Sequence, residues 1–247
     1  MRKPTLCLAA TPKWLLLLVF AAIAHQGSHV YFFNYFNPDK VCQIVMAQSL
    51  LAGKGLSVPE INLQDFAKVD YPPVVAWPPG YSLLIASILP FLRDVWWSAV
   101  ILDLGVALLF FGSWFYILEA MSAVITLKAR ALIWGFWALF FSPLEGLTSS
   151  DALSLALLSG SIAFAVRLIR HRSSDIWTPI AAGVLAVASA AVKFMYWPLA
   201  AALPAGLLYL GFRDDPRLRR WGARTAFLVV GGTLMVGAFQ RLSTLGR

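Results

Sequence analysis

The sequence predicts an all-α fold: a polytopic transmembrane helical bundle of about seven spans, with interfacial helices in its first outer loop. Of the 247 residues, 60% are hydrophobic and only 13% are charged, whereas ordinary soluble domains carry roughly a quarter charged residues. Apolar runs near the span length of about 20 residues recur along the chain, separated by short charged or Gly/Pro-containing breaks. Residues 1–247 are therefore predicted to form a single transmembrane domain.

The first apolar run, residues 14–33, begins the predicted bundle. Met1 to Ala24 has basic residues, a leucine-rich centre and a small-residue stretch that also suits a signal-peptide cleavage site. Apolar residues resume from Val30 to Phe33, which favours a retained first helix. The other predicted spans lie near residues 95–118, 131–147, 151–170, 176–194, 197–212 and 225–240.

The distribution of basic residues predicts the sidedness of the chain. A net charge of +8 is compatible with nucleic-acid binding, but the arginines lie in short loops between apolar runs, as membrane topology requires. No nucleic-acid partner is expected. If residues 78–92 crossed the membrane, the arginine loops would lie opposite the basic N-terminus, against the positive-inside rule. A run of about fifteen residues is also short for a span.

We therefore predict an integral, multi-pass membrane protein with a cytoplasmic N-terminus, in the inner membrane if the source is bacterial. Residues 34–94 form its outer loop, with interfacial helices near 38–52 and 78–92. Membrane lipids are its immediate partners.

Asp39 is the first candidate for chemistry. Asn37 can cap a helix and Pro38 fits the first turn, so Asp39 falls where the helix dipole favours an ionised carboxylate. Such a group can accept a proton from a hydroxyl or help to hold a metal. It can equally serve only to stabilise the helix start, and spacing leaves the two interpretations open.

A proline-rich elbow precedes the second interfacial helix. Asp70-Tyr71-Pro72-Pro73 and Trp77-Pro78-Pro79-Gly80-Tyr81 predict an extended approach followed by a sharp entry into the helix. Trp77 and Tyr81 suit the headgroup zone. A rigid elbow without a catalytic role is the plain interpretation.

Three ionisable residues lie in or beside predicted spans, namely Asp103, Asp151 and Lys193. Charges at such depth cost several kcal/mol unless they pair, snorkel or line a wet cavity. Asp103 suggests an interhelix polar contact. Asp151 suits a helix cap as well as a functional acid. Lys193 can snorkel or bind a lipid phosphate.

The sequence has no Walker-type glycine loop, no metal-spaced Cys/His cluster and no Ser/His/Asp constellation. His25 and His29, four residues apart, form only a weak metal pair. The residues require no cofactor, and a divalent cation is left open.

The motifs described above, taken in chain order, resemble the GT-C class of membrane glycosyltransferases, which includes protein mannosyltransferases and the aminoarabinose transferase acting on lipid A. The resemblance covers essentially the whole chain. It implies an enzyme that takes a sugar from a polyprenyl-phosphate carrier at the outer face and passes it to an acceptor. The residues that carry the resemblance are Asn37-Pro38-Asp39, the run Val41 to Gly55, Trp77 to Tyr81, Ser142-Pro143-Leu144, Thr148 to Ala152, and Lys193.

The resemblance also implies roles for individual residues. Asp39 matches the first-loop acid that acts as general base on the acceptor hydroxyl. Lys193 matches a cation near the carrier phosphate, and Asp151 an acid at a helix start. The segment from Trp77 to Tyr81 would line the entrance for carrier or acceptor, and Tyr71 is counted with the substrate-binding residues.

The sequence departs from the GT-C pattern in its length and at one loop position. It ends at Arg247 after about seven spans, whereas family members usually have eight or more, so we expect either a short member or a piece of a longer enzyme. It lacks a basic residue at Ala76-Trp77-Pro78, where some relatives have one. The alternatives are a non-catalytic GT-C-like subunit that binds the lipid carrier or a partner subunit, and a small transporter, although no repeated halves are evident.

Overall fold

The computed structural model describes residues 11–32, 38–74, 79–140, 143–144, 147, 149–171, 176–213 and 216–245. Within these ranges the chain is mostly helical, with nine α-helices and one short β-hairpin. The helices are α1 Lys13–Phe32, α2 Pro38–Leu51, α3 Gly80–Leu92, α4 Val95–Ala120, α5 Leu127–Leu139, α6 Ser149–His171, α7 Trp177–Val192, α8 Trp197–Arg213 and α9 Pro216–Leu245.

Three of these helices have the length and apolarity needed to cross a membrane. They are α1, α4 and the segment Ser150–Arg170 of α6, while α3 and α7 are apolar but shorter. Large side chains on α1, including Leu17 and Phe20, are exposed, as expected of a surface in contact with lipid. The prediction of a helical membrane protein is thereby confirmed. The count of seven spans stays a prediction.

Two predicted spans have different bounds in the structure. The α5 helix begins at Leu127, before the predicted residue 131, because the Thr126 hydroxyl caps it by accepting the backbone N–H of Ala129 at 3.3 Å. It ends at Leu139 rather than at the predicted residue 147.

The α9 helix begins at Pro216, ahead of predicted residue 225, since proline suits a first turn and arginine favours helix. The arginines assigned to a loop therefore lie partly in a helix.

The first long loop contains the two helices that were predicted to be interfacial. Their observed bounds, Pro38–Leu51 and Gly80–Leu92, lie close to the predicted ones. Between them Glu60–Ile61 and Val69–Asp70 form an antiparallel hairpin, which the sequence analysis did not predict. Gly53 and Gly55 end α2 with positive φ angles of 72° and 69°, a conformation that glycine adopts without strain.

Each helix packs against the next in the series α5, α1, α4, α6, α7, α9 and α8. The α3 helix packs against α4, α6 and α7. The main buried cluster includes Phe110 and Phe111 of α4 and Trp134 of α5. A second cluster joins α7, α8 and α9 through small residues such as Ala186 and Ala200. The two clusters meet across the interface between α6 and α7.

Serine side chains hold α6 against α7. Ser154 Oγ donates to the Ser189 carbonyl and Ser189 Oγ donates to the Ser154 carbonyl, each at 2.8 Å. Further along α6 on the same interface, Ser161 Oγ donates to the Ala182 carbonyl at 2.6 Å. Such small polar residues allow close helix approach within a bilayer. This interface positions the charged residues at its end.

Candidate functional site

Lys193 and Asp151 form an ion pair at the α6 N-terminal end of the bundle. Lys193 Nζ lies 3.2 Å from Oδ1 and 3.3 Å from Oδ2 of Asp151. Asp151 lies in the first turn of α6, and Lys193 follows the last residue of α7, Val192, in an extended conformation. The reciprocal serine bonds of Ser154 and Ser189 lie about one turn away. The interface therefore fixes the pair, whose side chains are 23% and 17% exposed.

Tyr196 lies beside this pair. A 3-10 turn, Phe194–Tyr196, follows Lys193, and the Tyr196 backbone N–H donates to the Lys193 carbonyl at 3.1 Å. Burial raises the pKa of the Tyr196 hydroxyl, and the negative charge of Asp151 raises it further. The phenol is therefore kept protonated and available as a hydrogen-bond donor.

The start of α3 lies directly on the end of α7. A Cβ atom added at Gly80 would come within 2.6 Å of Val192 Cγ2 and 3.1 Å of the Ala191 carbonyl oxygen. Only glycine permits this approach. The first turn of α3 is thus held next to Lys193, and Tyr81 follows immediately.

A second ion pair joins α2 to α4. Lys40 Nζ lies 2.7 Å from Asp103 Oδ2, and the Lys40 side chain is only 2% exposed. Tyr81 Oη donates to the other carboxylate oxygen, Oδ1, at 3.4 Å. The interhelix polar contact suggested for Asp103 is therefore present and connects three helices.

The sequence analysis did not single out Lys40 as the partner of Asp103. Its spacing in the sequence could have indicated that Lys40 is buried. Lys40 lies three and four residues before Gln43 and Ile44 and therefore shares their face of α2. All three residues are buried. A carboxylate within a span requires a partner, and α2 offers this lysine.

Asp39 occupies the first turn of α2, as predicted, and is half-buried. Within the described ranges its side chain forms no hydrogen bond or ion pair with Lys193 or Asp151. One turn further along α2, Gln43 is 1% exposed, and its Oε1 finds no hydrogen-bond partner in the described part of the chain. A buried acceptor without a hydrogen-bond partner is uncommon in folded proteins.

The other predicted binding residues lie in different surroundings. Tyr81 is fully buried, so its ring lies inside the bundle in this conformation. Tyr71 is half-buried beneath Lys54, whose Nζ lies 5.4 Å from the ring centroid, and it borders an open cleft of about 690 Å³ beside the hairpin. Trp77 and the predicted cap Asn37 lie outside the described residues.

Within the part of the chain that the structure describes, His25 and His29 gain no third metal ligand. His25 Nδ1 lies 3.1 Å from the Trp137 carbonyl oxygen. Over the described ranges no cluster of three or more His, Cys, Asp or Glu residues has a geometry that could hold a metal ion.

A third charged cluster lies at the opposite end of α4. Glu119 pairs with the Arg130 guanidinium, and Thr11 Oγ1 donates to Glu119 Oε2 at 3.3 Å. Arg170 donates to the Glu119 carbonyl at 3.4 Å. Glu119 therefore connects α4 with α5 and α6, a role that the sequence analysis missed.

Comparison with protein-family models, with curated proteins and with solved structures finds no match in any of the three. The chemistry of the site is therefore inferred from the residues themselves. The relevant groups are the pair Lys193 and Asp151, the Tyr196 phenol and the Asp39 carboxylate.

Proposed function

We propose that the chain is a membrane glycosyltransferase of the GT-C kind. It moves a sugar from a polyprenyl-phosphate carrier to an acceptor at the outer face of the membrane. The observation that carries the proposal is the half-buried pair of Lys193 and Asp151 beneath the first turn of α3. A cation held at the edge of an apolar bundle suits the phosphate of a lipid whose chain stays in the bilayer.

Lys193 binds the phosphate of the carrier and stabilises the charge that develops on it during transfer. Asp151 holds the ammonium in place before the carrier arrives. The protonated Tyr196 phenol supplies a second donor close to the same phosphate. Lys193 and Tyr196 therefore offer the phosphate an ammonium and a neutral donor, and the Asp151 carboxylate makes the three groups neutral overall.

Asp39 acts as the general base. The acceptor oxygen attacks the anomeric carbon while the bond between that carbon and the phosphate oxygen breaks. The acceptor proton passes to the Asp39 carboxylate, and polyprenyl phosphate leaves with both electrons of the broken bond. Transfer from the face opposite the leaving group inverts the configuration at the sugar.

The pair Lys40 and Asp103 positions the base. Because Lys40 forms an ion pair with Asp103 of α4, the position of the first turn of α2 relative to α4 is fixed. Asp39 immediately precedes Lys40 in the chain, so this ion pair also holds the Asp39 carboxylate near the membrane surface. Tyr81 extends the same anchor to α3.

The proposed topology has seven spans, a cytoplasmic N-terminus and α2 and α3 lying on the outer surface. Cysteine labelling in intact cells tests it, with Cys7 and Cys42 replaced by serine. A membrane-impermeant maleimide is expected to label Asp65→Cys from outside and to label Lys128→Cys only after lysis, because the proposed topology puts these exposed residues on opposite faces of the membrane. Labelling of Lys128→Cys in intact cells would refute the topology.

The transfer itself is tested with purified protein, a radiolabelled polyprenyl-phosphate sugar and a lipid acceptor fraction. Asp39→Asn is expected to lower the rate by about 100-fold or more, the usual contribution of a general base. Asp65→Asn, an isosteric change in the exposed hairpin loop, is the matched control and is expected to keep full activity. Full transfer by Asp39→Asn would exclude this mechanism.

A second candidate function is a non-catalytic subunit that binds the lipid carrier. It is favoured by one observation, the lack of contact between Asp39 and the Lys193–Asp151 pair within the described residues. This alternative predicts carrier binding that Lys193→Met weakens, without turnover by the wild-type chain. Turnover by the purified wild-type protein would dismiss it.

A further inference from the structure

A cleft of about 300 Å³ opens between α4 and α6, away from the proposed transfer site. Its apolar walls include Leu108, Gly112 and Gly160. Leu108 is exposed, and a Cβ atom added at Gly112 would meet no atom within 4 Å. This α4/α6 groove is therefore an open, apolar channel on the surface of two helices that are long enough to span the membrane.

One end of the groove is polar and positively charged. Arg167 borders it and is exposed, and the described residues give it no carboxylate partner. The Tyr116 hydroxyl also borders it and is buried without a hydrogen-bond partner in the described part of the chain. Neighbouring Arg170 is already engaged with the Glu119 carbonyl. The groove thus has an available cation and an unsatisfied hydroxyl at one end.

This arrangement matches the chemistry of a membrane phospholipid. An acyl chain fits an apolar channel along the bundle, and an anionic phosphate fits a guanidinium next to a hydroxyl donor. A soluble anion would satisfy the polar end but leave the channel unfilled. A neutral apolar molecule would leave the buried Tyr116 hydroxyl without a partner and would not engage the charge of Arg167.

We propose that the α4/α6 groove binds one anionic phospholipid, with an acyl chain along Gly112 and its phosphate on Arg167 and the Tyr116 hydroxyl. Arg167 lies sixteen residues from Asp151 on α6, which is about 24 Å along a helix. The lipid therefore occupies the leaflet opposite Lys193. This site is independent of the proposed transfer reaction.

Native mass spectrometry of the delipidated full chain tests the proposal, with phosphatidylglycerol and phosphatidylcholine titrated separately. The wild-type chain is expected to bind one phosphatidylglycerol more tightly than phosphatidylcholine. Arg167→Gln is expected to weaken phosphatidylglycerol about fivefold, the effect of one basic residue near a lipid headgroup. Arg220→Gln, the same change at an exposed arginine of α9, is the matched control and is expected to bind as the wild type does.

A steric variant tests the channel separately from the charge. Gly112→Leu fills the groove and is expected to weaken both lipids, whereas Gly105→Leu, at an equally open position on α4, is expected to leave both unchanged. Equal binding of the two lipids by the wild type, equal losses in Arg167→Gln and Arg220→Gln, or wild-type binding by Gly112→Leu would each overturn the proposal. Because Arg167 is exposed, its variant decides the question even if Gly112→Leu does not fold.

Discussion

Lys40 Nζ lies 2.7 Å from Asp103 Oδ2, and this contact joins a helix of the first loop to the first half of α4. The two residues are 63 positions apart in the sequence, so their ion pair is a long-range contact. Because Lys40 is almost completely buried, each charge depends on the other for its solvation. The Tyr81 hydroxyl completes the arrangement from α3.

Breaking this pair is expected to destabilise the fold strongly. Lys40→Met or Asp103→Asn alone removes the ion-pair partner of the other buried charge and should cost about 3–5 kcal/mol of unfolding free energy. The double variant removes both charges and should recover much of that loss. Unfolding in mixed detergent micelles measures each value.

Lys68→Met is the control for that experiment, because the pair of Lys68 with Asp70 is exposed. Its effect is expected to stay within about 0.5 kcal/mol. If the losses in Lys40→Met and Asp103→Asn simply add in the double variant, the two side chains are not energetically coupled. The proposal that this ion pair anchors α2 to α4 would then be wrong.

Hydrogen bonds between α6 and α7 are expected to contribute measurably to stability. Ser189→Ala removes one of the two reciprocal bonds with Ser154 and should cost about 0.6 kcal/mol, the average for interhelix bonds in membranes. Ser159→Ala is the matched control, since that hydroxyl bonds to Leu155 of its own helix. Equal effects of the two alanines on micelle unfolding would contradict the proposed role of the interface.

Neighbouring glycines of α9 are expected to respond oppositely to alanine. A Cβ atom at Gly232 would lie 2.5 Å from Val187 Cγ1, whereas one at Gly231 would meet nothing within 4 Å. Gly232→Ala should therefore destabilise by about 1–3 kcal/mol through overpacking. Gly231→Ala should stabilise by about 0.5–1 kcal/mol through helix propensity. Thermal unfolding of the two variants gives the comparison, and a stabilising Gly232→Ala would show that α7 and α9 are not in close contact.

Tyr196 is expected to ionise only at a pH above its usual value of 10.0. Its raised pKa means that the folded state holds the proton more tightly than the unfolded state. The resulting stabilisation is complete below pH 10.0 and is lost as the pH rises through the folded-state pKa. Tyrosinate absorbance of the wild type minus Tyr196→Phe isolates this titration. Asp151→Asn should lower its midpoint, and an unchanged midpoint would contradict the electrostatic effect of Asp151.

The sequence by itself determined the helical membrane character and most helix bounds. Long apolar runs predict helices that bury in a bilayer, because a polar backbone in hydrocarbon must satisfy its own hydrogen bonds. Local signals also placed Asp39 in the first turn of α2 and ended that helix near Gly53. The bounds of α5 and α9 were less accurate, since the Thr126 cap and arginine propensity extend helices beyond the apolar residues.

Only the tertiary structure decided which charged groups meet. Lys40 reaches Asp103, and Lys193 reaches Asp151, across 63 and 42 residues respectively. Those contacts depend on the rotation and spacing of packed helices, which in turn depend on close approaches such as that of Gly80 to Val192. Hydrophobic periodicity gives the buried face of each helix but not its partner. The α4/α6 groove likewise exists only because two helices pack with small residues between them.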